Sequence, residues 1–86
     1  MRLDKFLQAS RLVKRRTLAN RLCDAGKVTL NGHKAKPAAE VRVGDLLGVN
    51  FGARRLVVKV LHLPAGRPSA DSPVEVVEDQ RTPDNW

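Results

Sequence analysis

The spacing of apolar residues changes at Gly26, and this change restricts the available folds more than any other feature of the sequence. Before Gly26, apolar residues recur three and four positions apart, as on one face of a helix. After it, they alternate with polar residues, as in a strand with one buried face. The 86-residue chain is therefore predicted to be α+β, with two N-terminal helices followed by a small, mainly antiparallel sheet.

The first helix is predicted over about residues 2–9, and the second starts within "VKRRTLANRL" and stops at Gly26. Glycine suits this stop because it readily adopts the left-handed conformation that ends many helices. Four apolar residues of the second helix share one face that is predicted to pack on the core: Leu18, Ala19, Leu22 and Cys23.

Strand signals follow the helices. Alternating residues lead into Asn31-Gly32, the favoured dipeptide of a two-residue hairpin turn, and further strands are predicted at residues 46–51 and 55–63. Residues 1–63 are therefore assigned to one domain. Residues 64–86 are predicted to be a linker with room for a short strand over 74–77, followed by a flexible acidic tail.

The charge of the chain is strongly basic and unevenly distributed. Sixteen Lys and Arg residues stand against nine acidic residues, giving a net charge of +7 and a pI of about 10.6. Residues 1–36 carry ten cations and two acids, whereas residues 64–86 carry two cations and five acids. A basic half of this kind indicates a surface for a polyanion.

Several classes of function are disfavoured by the residues that the sequence lacks. No apolar run approaches the roughly 18 residues of a membrane span, no signal peptide is apparent, and Cys23 has no partner for an internal disulfide. These features predict a reducing, cytoplasmic location. Because no nucleophile–base set, no glycine-rich phosphate loop and only His33 and His62 occur, we predict no enzyme activity, no metal and no cofactor.

Lys14, Arg15 and Arg16 stand where the second helix starts, a position that is unfavourable for the helix itself. The free N–H groups there carry partial positive charge, so a cation costs roughly 0.3–1 kcal/mol. The same N–H groups attract an anion, and Arg can bridge two phosphate oxygens. With two Phe, one Trp and no Tyr to stack on bases, a site for an RNA phosphate backbone is predicted. Its candidate residues are Arg2, Arg11, Lys14, Arg15, Arg16, Lys34 and Lys36.

The role of Arg16 has two alternatives at this point. If its charge only opposes the helix dipole, Arg16→Ala should leave the thermal midpoint unchanged or slightly raised while it weakens RNA binding. If Arg16 instead pairs with Asp4, the same substitution should lower stability.

Three stretches together resemble the S-four-type RNA-binding domain, also called the αL motif: "RLDKFL" (2–7), "RRTLANRLCDAGKVTLNG" (15–32) and "VRVGDLLGV" (41–49). In that family, two helices and the following hairpin form an RNA-binding face. The resemblance therefore implies RNA contact by Arg2, Arg16 and the neighbouring Arg11, Lys14 and Arg15. Many members carry Ser or Thr as the cap of the second helix where this chain has Arg15, which adds to the basic surface.

Within the family, the short length and the opening "MRLDKFLQASRLVKRRTLA" are most similar to the RqcP branch of bacterial ribosome-quality-control factors. This similarity implies binding to large ribosomal subunits that carry obstructed peptidyl-tRNA, and support of C-terminal alanine tailing directed by RqcH. The implied partners are large-subunit rRNA, peptidyl-tRNA and RqcH, with no membrane and a monomeric state. Three alternatives remain open: rescue without tailing, as in the heat-shock-protein-fifteen branch, a basic adaptor for acidic proteins, and a detached accessory domain of an RNA-modifying enzyme.

Overall fold

The computed structural model describes residues 1–64 and 72–81, and its elements follow the order predicted from the change of period at Gly26. Helices α1 (Leu3–Ala9) and α2 (Arg16–Asp24) come first. They are followed by β1 (Val28–Leu30), β2 (His33–Lys34), β3 (Leu46–Asn50), β4 (Arg54–Val60) and β5 (Val74–Arg81). The strands form one antiparallel sheet in the order β2-β1-β3-β4-β5, so the predicted α+β class is confirmed.

Two predicted chain reversals fix how the helices meet the sheet. Gly26 has φ +72 and ends α2, because its N–H donates to the Cys23 carbonyl (3.0 Å) and the Lys27 N–H donates to the Leu22 carbonyl (2.9 Å). Asn31 and Gly32 both have positive φ, 54 and 85, as a two-residue hairpin turn between β1 and β2 requires. Both predictions are confirmed.

The core lies between the two helices and one face of the sheet. Buried residues alternate along β3 and β4, which leaves the other face of the sheet outside the core. Ala19 and Cys23 of α2 are buried as predicted, whereas Leu18 is 45% exposed. Since 3.6 residues make one turn, Leu18 lies about 100° around the helix from Ala19, at the margin of the buried stripe. The full core comprises Leu3, Phe6, Leu7, Val13, Ala19, Cys23, Val28, Val41, Leu47, Val49, Leu56, Val58 and Val60.

β5 is longer than the strand predicted over residues 74–77, and it extends through residues 79–81 of the predicted flexible tail. It pairs with β4 along its whole length, with an irregularity between Val57 and Val58. The Arg54 guanidinium adds two hydrogen bonds to the Asp79 carboxylate, at 2.9 and 2.8 Å. Backbone pairing therefore orders a stretch without apolar alternation. The rest of the predicted linker and tail, residues 65–71 and 82–86, lies outside the described residues.

Candidate RNA-binding site

A buried carboxylate joins two of the predicted site residues. Asp4 of α1 is only 2% exposed, and it accepts a hydrogen bond from the Lys5 backbone N–H at 2.8 Å. The Nε atoms of Arg2 and Arg16 lie 3.3 and 3.4 Å from its two carboxylate oxygens. Asn20 Nδ2 lies 3.5 Å from the oxygen that faces Arg16. We call Arg2, Asp4 and Arg16 the Asp4 cluster.

The loop before β3 holds the start of α1 in place. The backbone N–H groups of Leu3 and Asp4 donate to the carbonyls of Ala39 (2.8 Å) and Pro37 (3.1 Å), and the Val41 N–H donates to the Met1 carbonyl (2.9 Å). The first two bonds occupy helix-start donors that would otherwise be free. The backbone position of Arg2 and Asp4 is therefore set by contacts between the start of α1 and this loop.

Asp4 is ionised at neutral pH in spite of its burial. Burial alone raises the pKa of this carboxyl, because it disfavours the charged form. The hydrogen bond from the Lys5 N–H and the charges of Arg16 and Arg2 outweigh burial, so the pKa of Asp4 lies below its usual 3.8. The side chains of Arg2 and Arg16 are 52% and 49% exposed, so each anchored guanidinium still faces solvent. The cluster thus presents two fixed cations above one buried anion.

The start of α2 adds to this positive surface. Arg15 is the extended N-cap residue, and in the described part of the chain no side chain caps the helix. Lys14 and Arg15 are both exposed. An open depression of about 490 Å³ is lined by the next residues of α2 and by the start of α1: Arg2, Asp4, Arg16, Thr17, Asn20 and Arg21. Three cations, Arg2, Arg16 and Arg21, therefore line one concave region beside the first turn of α2, which suits a phosphate.

Arg11 is placed by an unusual backbone conformation. It follows α1 with φ +63, and its N–H donates to the Gln8 carbonyl at 3.0 Å. Glycine is the usual residue at such a helix end, and another L-residue costs roughly 1–2 kcal/mol there. The chain carries an exposed cation at a position where stability favours glycine. This outlier is consistent with the predicted RNA contact of Arg11.

The two lysines after the hairpin turn have different surroundings. The side chain of Lys34 passes over Gly26, so that a Cβ at Gly26 would lie 3.3–3.4 Å from its Cδ, Cε and Nζ atoms. It is thus at the C-terminal end of α2, and Arg16 is at the other end of this nine-residue helix, which is about 13 Å long at 1.5 Å per residue. Lys36 is exposed and precedes Pro37, which contacts the start of α1. The structure therefore groups Lys36 with the α1 side and separates Lys34 from the Asp4 cluster.

Sequence reasoning missed Thr17, Asn20 and Arg21 as parts of the depression. Asn20 follows Arg16 by four residues, a spacing that places both side chains on one helix face. That spacing could have identified Asn20. The contact of Asp4 with α2 depends on how the helices pack, and no local pattern encodes it.

The remaining titratable candidates have no such arrangement. The described residues contain no group of three or more His, Cys, Asp or Glu side chains that could hold a metal ion. Burial, together with the charges of Asp4 and Asp24, raises the pKa of Cys23 to about 11, so this thiol is protonated at neutral pH. Within the described ranges, no helix is long and apolar enough to cross a membrane.

Comparison with known proteins identifies the family. The family model of the S4 domain matches residues 1–47, which is more than half of the chain. The chain belongs to the S4 domain family. The resemblance carried by the three N-terminal stretches is confirmed.

Relatives of this S4 domain protein include several named RQC P-site tRNA stabilizing factor. The one from Streptococcus pneumoniae is 37% identical over 99% of both chains, and the one from Bacillus subtilis is 51% identical over 73% of each chain. A Heat shock protein 15 homolog of Aeromonas salmonicida is 41% identical over 81% of this chain and 53% of its own length. The fold is also similar to the trimeric structure of Vibrio cholerae Heat Shock Protein 15, with a TM-score of 0.76, 32% identity, and coverage of 88% of this chain and 80% of that one.

Proposed function

We propose that this protein is a ribosome-quality-control factor of the RqcP type, which binds large ribosomal subunits carrying obstructed peptidyl-tRNA. The observation that carries the proposal is the 37% identity, over 99% of both chains, to a protein named RQC P-site tRNA stabilizing factor. The S4 domain match over residues 1–47 and the basic surface around α2 support RNA as the ligand.

The Asp4 cluster suggests how such binding would work. Asp4 fixes the guanidiniums of Arg2 and Arg16 before RNA arrives, so less side-chain entropy is lost when they meet phosphate oxygens. Lys14 and Arg15 add charge at the start of α2, where the helix N–H groups also favour an anion. Since these contacts address the backbone, recognition rests on the shape of folded RNA more than on base identity.

In this proposal the protein acts by binding, without catalysis, cofactor or metal. It contacts large-subunit rRNA and peptidyl-tRNA as a cytoplasmic monomer, and it keeps the tRNA in place while RqcH directs alanine tailing of the stalled chain. The similarity to tRNA stabilizing factors supports the tRNA contact.

Rescue without tailing, as in the Heat Shock Protein 15 branch, is the second candidate. The TM-score of 0.76 to the Vibrio cholerae protein favours it. The two candidates differ in one product. When the purified protein is added to stalled subunits together with RqcH, the C-terminal alanine tails should be longer than with RqcH alone. Tails of the same length in both reactions would favour simple rescue.

The binding itself is tested by titrating the protein onto large ribosomal subunits carrying peptidyl-tRNA at several salt concentrations. Arg2→Gln with Arg16→Gln should reduce the slope of log affinity against log salt by about 1.4–1.8, at about 0.7–0.9 per phosphate contact. Arg42→Gln with Lys59→Gln is the matched control, because it removes the same charge from residues that face Glu40 and Glu75. A basic adaptor would be favoured over an RNA-binding factor if the two double variants had equal salt slopes. It would also be favoured if the wild-type protein bound an acidic protein as tightly as it binds the subunits.

A further inference from the structure

The outer face of the sheet carries a second basic depression, at the far end of α2 from the Asp4 cluster. Thr29, Gly48 and Val57 lie side by side on β1, β3 and β4, in register with one another. The side chains of Thr29 and Val57 point away from the core, because the residues next to them on each strand are buried or partly buried. The depression has a volume of about 260 Å³, and Lys27 and Arg55 also line it. We call it the Gly48 depression.

Gly48 keeps the floor of this depression free of a side chain. A Cβ atom at this position would lie 2.5 Å from Thr29 Oγ1, closer than two such atoms can approach. The hydroxyl of Thr29 therefore lies over the backbone of Gly48 on β3, between β1 and β4. This hydroxyl can donate or accept a hydrogen bond at the floor.

The rim of the Gly48 depression is positively charged. Lys27 and Arg55 are exposed, and Lys34 pairs with Thr29 across β1 and β2 and passes over Gly26. Among the described residues, the ion pairs of the protein involve none of these three cations. Glu78 of β5 is the register partner of Val57, so one acid borders the β4 side of the depression, against three cations at its rim. The local charge therefore favours an anion.

We propose that the Gly48 depression is a second RNA contact, which receives one nucleotide of the RNA held at the Asp4 cluster. This inference rests on the proposed function. The volume is below the roughly 300–1,000 Å³ of sites that enclose a small ligand, so it fits one unit of a chain anchored elsewhere. Lys27 and Lys34 face the phosphate, and the planar guanidinium of Arg55 can also stack on a base.

The separation of the two sites gives the second contact its effect. They lie at opposite ends of α2, about 13 Å apart along this nine-residue helix. An RNA must present backbone to both ends at once to use both sites. Binding would therefore select a folded RNA of matching shape over an arbitrary polyanion.

Three single variants of the full chain test this proposal. Lys27→Gln and Arg55→Gln each remove one charge from the rim. Arg42→Gln is the control: it removes one charge from the turn that precedes β3, where Arg42 pairs with Glu40. Each is titrated onto large ribosomal subunits carrying peptidyl-tRNA at several salt concentrations. Each rim variant should bind several-fold more weakly and lower the salt slope by about 0.7–0.9, whereas Arg42→Gln should keep the wild-type slope.

The outcomes separate this inference from the proposed function. If both rim variants titrate like Arg42→Gln while Arg16→Ala binds more weakly, the second contact is wrong and the proposed function stands. If the wild-type protein shows no salt-dependent binding to the subunits, the proposed function fails, and the second contact fails with it.

Discussion

Arg16→Ala should lower the stability of the free protein by about 1 kcal/mol. The substitution removes a guanidinium 3.4 Å from a carboxylate that is 2% exposed. A hydrogen bond to a charged group contributes about 1.5–3 kcal/mol, but an exposed pair contributes only about 0.2–1 kcal/mol. Since Arg16 is half exposed, and Arg2 and the Lys5 N–H remain as partners of Asp4, we place the loss at about 1–1.5 kcal/mol. Removing a cation that opposes the helix dipole regains about a few tenths of a kcal/mol of stability, which leaves a net loss of about 1 kcal/mol.

Arg15→Ala is the matched control, because it removes a neighbouring charge at the same helix start. Arg15 is the N-cap residue, and none of the ion pairs among the described residues includes it. Its loss should leave the thermal midpoint unchanged or slightly higher. For a domain of this size, about 1 kcal/mol corresponds to about 4–8 °C, so thermal melting should place Arg16→Ala clearly below both wild type and Arg15→Ala.

The pH dependence identifies Asp4 as the partner. The pKa of Asp4 is lowered in the folded state, so its ionisation stabilises the fold above the unfolded value of 3.8. This contribution is lost as the pH falls through the lower, folded value. The loss of stability caused by Arg16→Ala should therefore have its full size at neutral pH and become smaller below pH 3.8. If Arg16→Ala melts like Arg15→Ala at neutral pH, or if its deficit persists in acid, the proposed pair is wrong.

Three further predictions follow from other parts of the structure. Arg11→Gly should weaken RNA binding while it leaves the thermal midpoint unchanged or raised, because glycine adopts φ +63 without strain; a lower midpoint would contradict this. Deleting residues 79–86 should lower the midpoint through loss of the Arg54–Asp79 pair, and RNA affinity should be unchanged or higher because acids are removed; weaker binding at intact fold would refute it. Cys23 should react with thiol reagents at neutral pH far more slowly than in the denatured chain, since its pKa is about 11, and equal rates would exclude this environment.

The fold was largely predictable because its signals are local. The helical period before Gly26, the alternation after it and the Asn31-Gly32 turn are each contained in a few adjacent residues. The length of β5 was not predictable in this way. Its residues 78–81 have no apolar member, and their order comes from pairing with β4, more than twenty residues earlier in the chain.

The site was predictable in composition but not in arrangement. Charge at the start of α2 indicated Lys14, Arg15 and Arg16 directly. The anchoring of Arg16 by Asp4 needs the packing of α1 against α2, and the position of Lys34 over Gly26 needs the register of β1 and β2. Such relations join residues that are distant in sequence, so only the folded chain shows them.

The strand order also separates charge across the molecule. β2 carries Lys34 at one edge of the sheet, whereas β5 carries Glu75, Glu78 and Asp79 at the other. A protein with this electric dipole turns in the field of a polyanion as it approaches, so that its acidic edge trails. More of its collisions then begin in a productive orientation, and this gain in association rate fades as salt screens the field. An acid on β5 that never touches RNA would thus still influence how quickly the protein is captured.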